Sequence, residues 1–368
     1  MLSVAYVGMD VHKETIRLAL LPDTGTAFLD ERTVPTEVMA VRRALRPWTE
    51  RYTLQCFYEA SSCGYVVQRW LAQAEIACTV VAPSKTPRAP GDRVKTDRRD
   101  ARTLAIQGRA GQLAAVHVPT TEDEALRGLV RQYASQRQAV RASRQRVQAW
   151  LLLRHQIYQA GETWTQAYWQ WLKALRFSGL DGEVFQEYLA EVTDWVGRMT
   201  ASERHLQLLA QTSAYRAVVE RLGCFRGITP VRGLILVAET LDFTRFPGAA
   251  ELMGYYGLVS DEHSSGPRRR QGAITKTGSS LARYELVEAA WSYQHPPRVG
   301  KALADRQVGQ PEEVRAIAWA AQKRLHRKYW KLVHAKKPTG VAAVAVAREL
   351  TGFLWAAMTQ VPFDPPQG

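Results

Sequence analysis

The sequence predicts an α/β domain followed by an all-α region. Three observations predict it. Short apolar runs alternate with helical patterns over residues 1–83, long stretches of helical periodicity start near residue 121, and a Pro-, Gly- and Arg-rich stretch at 83–95 intervenes.

The elements follow in order. Residues 4–8 read as a strand that ends at Met9-Asp10. Residues 16–21 read as a second strand, and the turn Pro22-Asp23-Thr24-Gly25 leads to a third near 27–34. From 36 to 48, Val38, Val41 and Leu45 recur at helical spacing, with Thr36 as N-cap. Residues 54–58 form a fourth strand ending at Glu59, 64–74 a helix, and 78–82 a fifth strand. The order is β-β-β-α-β-α-β. After the loop, a helix spans about 97–110.

From 121 to 159 the periodicity becomes long and helical, and Arg127, Arg131, Arg137, Arg141, Arg144 and Arg146 decorate it. A second long helix is expected over 181–222. The aromatics Trp164, Tyr168, Trp169, Trp171 and Phe177 lie between the two, where core or subunit packing outweighs base stacking. The helices are expected to pair as an antiparallel or intermolecular coiled coil. A further compact region opens at Gly223. In it, Gly227-Ile228-Thr229-Pro230 resembles a helix-hairpin-helix entry, Phe246-Pro247 to Gly257 is helical, and 258–278 is a polar, basic loop or hairpin. A helix follows over 281–293, then a basic helical tail interrupted at Lys337-Pro338-Thr339-Gly340. The expected domains are 1–120, 121–222, 223–300 and 301–368.

Composition bounds the partners. With 46% hydrophobic residues the chain can bury a sizeable core. No apolar run is read as reaching membrane-spanning length, and the N-terminus lacks a signal-peptide pattern, so a cytoplasmic protein without a membrane partner is expected. Cys56, Cys63, Cys78 and Cys224 show no CxxC spacing and read as reduced, mostly buried thiols. The 49 Lys and Arg against 35 acids leave a net charge of +14, which points to a polyanionic partner.

Four acids carry the chemistry. Asp10 and Glu59 each close a strand, and Asp97 and Asp100 lie three apart on one helix, facing the same way. An Asp after a strand is usually a turn residue, and a DxxD pair is usually a solvated face or an N-cap. The joint pattern argues instead for convergence on one point. Clustered carboxylates repel unless cations neutralise them, and hard oxygen donors suit Mg²⁺, with two ions expected for phosphoryl transfer. Arg93, Lys95, Arg98, Arg99 and Arg102 bracket the second pair and suit phosphates.

At these residues a family resemblance becomes specific. Gly8-Met9-Asp10-Val11-His12-Lys13, Tyr58-Glu59-Ala60-Ser61 and Lys95-Thr96-Asp97-Arg98-Arg99-Asp100-Ala101 resemble the three blocks of the DEDD transposases of the IS110 insertion sequences, a family that includes the Piv DNA invertase. Phe225-Arg226-Gly227-Ile228-Thr229, Tyr256-Gly257-Leu258-Val259, Glu262-His263-Ser264-Ser265-Gly266 and Gly272-Ala273-Ile274-Thr275-Lys276-Thr277-Gly278 resemble its second transposase domain.

The resemblance implies an RNase H-like, RuvC-like first domain with Asp10, Glu59, Asp97 and Asp100 as metal ligands. It implies a catalytic serine in the second domain, placed at Ser264. Ser265 is adjacent, and Ser279 and Ser280 are held in reserve. It also implies a structured guide (bridge) RNA that pairs with donor and target DNA. The absence of a helix-turn-helix or zinc finger agrees with a protein that grips backbones while base pairing reads sequence. Candidate gripping residues are Arg141, Arg144, Arg268, Arg269, Arg270 and Lys276, with the 323–337 run.

Three functions compete: a recombinase with a covalent serine–DNA intermediate, a RuvC-like nuclease in which water attacks, and a non-catalytic scaffold. The long C-terminal region favours the first over the second, and the complete acidic set disfavours the third. Strand exchange needs at least two active sites, so a dimer or tetramer is expected.

Overall fold

A computed structural model describes residues 2–83, 97–262 and 271–363; the side chains of Asp97, Arg98, Glu262 and Gln271 lie outside that description. The chain divides into two units, Met1–Pro119 and Thr120–Gly368.

The first unit is built on β1 (Ser3–Val11), whose alternation sorts its side chains. Ala5, Val7, Met9 and Val11 are buried on one face, leaving Tyr6, Gly8 and Asp10 on the other. β2 (Thr15–Pro22) and β3 (Asp30–Pro35) continue the sheet antiparallel. The third strand starts later than expected, because Gly25 at φ +88° and the exposed Leu29 keep the connection irregular. α1 (Val38–Thr49), β4 (Tyr52–Glu59), α2 (Val66–Ala72) and β5 (Ala77–Val81) follow, and β4 runs parallel to both β1 and β5. The sheet order is β3-β2-β1-β4-β5. Val41, Leu45 and Trp48 of α1 and Val67 and Leu71 of α2 cover one face. α3 (Asp97–Arg109) covers the other, where Leu104 packs with Tyr6, Phe57 and Val81.

The second unit begins with α4 (Thr121–Leu152), capped by the Thr120 hydroxyl accepting from the Asp123 amide. α5 (Gln166–Ala174) and α6 (Gly179–Thr212) follow. α4 stops before 159 because the chain turns at His155, held at φ +54°. The helix expected over 181–222 is two helices, α6 and α7 (Arg216–Gly223), separated where the Ser213 hydroxyl donates back to Leu209 O.

Buried residues recur every seven positions on α4 (Leu126, Tyr133, Val140, Val147). On α6, Phe185, Val192 and Leu206 keep the same period. Leu126 shares a cluster with Leu206, and Val147 with Phe185, so the two helices run antiparallel within one chain. The aromatics between them are core: Trp150, Tyr168 and Phe185 are buried, and Trp164 and Trp169 pack on them.

The remaining elements are α8 (Pro230–Thr240), α9 (Ala249–Tyr255), the antiparallel pair β6 (Ser260–Glu262) and β7 (Gln271–Ile274), and α10 (Ser280–Ala290). α11 (Lys301–Gln307), α12 (Glu312–His334) and α13 (Thr339–Thr359) complete the unit. The ends of α4 and α6 nearest this region join its core, with Leu126 and Leu206 beside Leu234, Leu286 and Leu350. α13 corrects one expectation: by length and composition it could cross a membrane. Half of its apolar window is buried, with Ala343, Val346 and Leu350 fully covered. Arg348 and Glu349 interrupt the apolar run, which hid it in the sequence. All four cysteines are free; Cys56 and Cys224 are buried, Cys63 and Cys78 half-buried.

Candidate active site

The neighbouring positions of Asp10 and Glu59 are a consequence of strand register. β1 and β4 are parallel and in step up to Met9 opposite Tyr58, so Asp10 and Glu59 occupy the next position at the ends of neighbouring strands. The two strands sort their faces alike. Cys56 and Tyr58 join the core under α1 and α2 with Val7 and Met9, so Phe57 and Glu59 share the α3 face with Gly8 and Asp10.

Gly8 lets α3 lie close. A Cβ there would come within 2.7 Å of the Ala105 nitrogen and 2.9 Å of the Ala101 carbonyl carbon, so the helix backbone rests directly on β1. Gly108 does the same over the Phe57 ring. Asp100, half-buried, immediately precedes the residue that touches Gly8, and Asp97 begins the same helix one turn earlier. An ion-pair clamp fixes α3 laterally: Arg102 donates to Glu31 of β3, which also accepts from Arg17 Nη2 at 3.1 Å. Arg102 is thus held internally rather than bracketing a phosphate.

Sequence reasoning passed over His12. Its Nε2 lies 3.1 Å from Asp10 Oδ2, with the carboxylate largely covered and the imidazole half exposed. The signal is a His two residues after Asp10, just past the end of β1. The donor chemistry of Asp10, Glu59 and Asp100 is all hard oxygen, which suits a divalent cation. Among the described residues no three His, Cys, Asp or Glu side chains close around one point; the Asp97 carboxylate falls outside them.

Ser264, Ser265, Arg93, Lys95, Arg268, Arg269 and Arg270 lie outside the described residues, as does the Arg98 side chain. Arg99 is exposed. Lys276 is exposed with a left-handed backbone, φ +55°. Ser279 caps α10, its hydroxyl accepting from the Ala282 amide at 3.1 Å, and Ser280 is the first residue of that helix. Both line a cleft of about 550 Å³ with Arg131, Arg137 and Arg141.

The basic stripe on α4 is more structural than its charge suggested. Arg127 donates to Ala238 O, Arg131 pairs with Glu239, Arg137 with Glu285, and Arg146 with Glu191. Arg144 lies over the Trp164 ring, 5.0 Å from its centroid, and burial lowers its pKa. Arg141 alone of the six is exposed with no described partner. Glu239 and Glu285, both buried, are the acids that hold the stripe in place.

Residues 7–155 match the DEDD transposase profile of the IS110 type, and residues 219–303 match the profile described as transposase IS116/IS110/IS902 family. The chain is 39% identical over 356 residues to the putative transposase y4qE of Sinorhizobium fredii, spanning 96% of this chain and 88% of that protein. It is 31% identical over 346 residues to the transposase for insertion sequence element IS1533 of Leptospira borgpetersenii, covering 90% and 97%. A probable family 20 transposase of Pseudomonas aeruginosa is 24% identical over about half of each chain. The chain belongs to the IS110 family of DEDD transposases, enzymes that act on DNA and depend on divalent metal.

Proposed function

We propose that this transposase cuts and rejoins DNA strands at a site where Asp10, Glu59, Asp97 and Asp100 hold two Mg²⁺ ions and Ser264 supplies the nucleophile. The observation that carries the reading is the shared register of Asp10 and Glu59 on the face that α3 covers through Gly8. The bound ions would polarise the scissile phosphate and stabilise the departing oxygen.

The chain's own residues do the rest. The four carboxylates fix the position of the charge, and His12 orients Asp10 through their 3.1 Å contact. The Ser264 hydroxyl loses its proton as its oxygen bonds to phosphorus, and the displaced sugar oxygen leaves protonated. The serine phosphodiester is later broken by a sugar hydroxyl of the partner strand, which restores the serine. Ser265, Ser279 and Ser280 are the alternative nucleophiles; for Ser279, the capping role argues against a free hydroxyl.

The sheet order β3-β2-β1-β4-β5, three antiparallel strands then two parallel, supports an RNase H-like first domain. The antiparallel α4–α6 pair supports an intrachain coiled coil. The +14 charge and the lack of a base-reading motif support a structured guide RNA that pairs with donor and target DNA. Two or four copies would supply the active sites that strand exchange requires.

The test is to incubate protein, guide RNA, both DNAs and Mg²⁺ and look for a denaturant-stable protein–DNA adduct. Wild type is expected to form it, and Ser264→Ala to lose both adduct and cleavage. Full cleavage by both proteins without an adduct would leave the RuvC-like nuclease, in which water attacks, as the correct reading.

A further inference from the structure

α12 carries a surface that the catalytic scheme does not use. Trp319 and Trp330 are both 39% exposed, an unusual placement for the largest apolar side chain. Eleven residues apart, they lie on nearly the same helix face, separated by about 16 Å along its axis. Lys323 and Arg327 occupy the turns between them and are exposed.

Trp330 is held in place. Its indole N–H donates to Gln294 O at 2.8 Å, and its ring packs beside His334 with centroids 5.7 Å apart. The ring lines an open groove of about 670 Å³ with His326, Arg327, Lys331 and Pro296. From Trp319 to His334 the helix has five Lys or Arg and no acid. Arg324 and Lys328 both pair with Glu349 of α13, on the side away from the indoles. Lys323 sits over the Trp319 ring, 5.8 Å from its centroid. The charge is therefore positive where the aromatics are exposed.

We infer that this α12 groove binds an unpaired DNA strand, with a base stacked on Trp330, a second on Trp319, and the backbone phosphates held by Lys323, Arg327 and Lys331. An indole fixed edge-on by a hydrogen bond offers its face to any base, and flanking cations meet the phosphates. The charge complementarity favours a polyanion over a protein partner. The inference rests on the DNA substrate that family membership carries, and is independent of the tetrad. Strand exchange exposes single strands, and the groove would retain them.

The test uses the full-length protein in EDTA, so that cleavage plays no part, and a fluorescein-labelled twelve-nucleotide oligo-dT read by fluorescence anisotropy. Trp330→Ala is expected to weaken binding about 5- to 150-fold, the range that base–aromatic stacking carries. Trp330→Phe is expected to retain most of the affinity. An abasic strand of equal length should bind wild type weakly and Trp330→Ala no more weakly. Circular dichroism melts establish that the variants fold.

Trp330→Ala binding oligo-dT within two-fold of wild type would overturn the inference. So would an equal loss on base-bearing and abasic strands. Oligo-U bound tenfold more tightly than oligo-dT would overturn the assignment to DNA. Self-association lost in Trp330→Ala while oligo-dT binding persists would show a protein interface instead.

Discussion

Gly8→Ala isolates the contact that places the acidic helix. The new methyl would lie 2.7 Å from the Ala105 nitrogen and 2.9 Å from the Ala101 carbonyl carbon, against a comfortable separation of about 3.5 Å. The methyl would also overlap the Ala101 carbonyl oxygen, its nearest neighbour; all three atoms are backbone, so α3 must retreat by more than about 1 Å. The retreat loosens Ala101, Leu104 and Ala105, all buried. Overpacking of this kind costs about 1–3 kcal/mol. Hydrogen exchange followed by mass spectrometry should then show α3 amides exchanging about 5- to 150-fold faster. Strand cleavage should fall about 10²-fold, because Asp97 and Asp100 move with the helix. Gly128→Ala is the control: its Cβ meets nothing within 4 Å, and Ala in a helix gains about 0.5–1 kcal/mol. Unchanged α3 protection with intact cleavage in Gly8→Ala would refute the reasoning that Gly8 seats the helix.

Further predictions rest on the second unit. Arg144→Ala should lower the melting temperature and leave DNA affinity nearly unchanged, because this guanidinium packs on Trp164; Arg141→Ala should do the reverse, read by melting and by anisotropy. Glu285→Ala strands the Arg137 and Arg232 guanidiniums that the buried carboxylate holds, and should cost about 3–5 kcal/mol in urea unfolding. Burial raises the Asp123 pKa, but hydrogen bonds from Thr120 and Tyr215 outweigh it and hold the carboxyl below its ordinary value. A depressed acid stabilises fully above its unfolded pKa of about 4 and loses that contribution as pH falls through the folded value. The urea midpoints of wild type and Asp123→Asn should therefore differ above pH 5 and converge in stronger acid.

The sheet was legible because its strands carry their own pattern. Ala5, Val7, Met9 and Val11 recur at every second position of β1, and Asp10 and Glu59 fall within one residue of their strand ends. The closeness of α3 was not legible, since a lone Gly8 gives no sign of which backbone approaches it. Charge misled on α4, where partners over a hundred residues away, Glu239 and Glu285, tie part of the basic stripe to buried carboxylates. The buried stripe of α4 is harder to read in the sequence because polar Gln136 and Ser143 occupy buried positions on it. His12, just past the end of β1, carries no signal in the sequence beyond its closeness to Asp10.

The central claim is that Asp10, Glu59, Asp97 and Asp100 form one metal site. Calorimetric titration of Mn²⁺ into wild type and into Asp10→Asn, Glu59→Gln, Asp97→Asn and Asp100→Asn tests it most directly. The account predicts that each substitution weakens Mn²⁺ binding by tenfold or more, on the order of a lost ligand, while the exposed Glu37→Gln control binds like wild type. Wild-type affinity in Asp10→Asn or Glu59→Gln would contradict it.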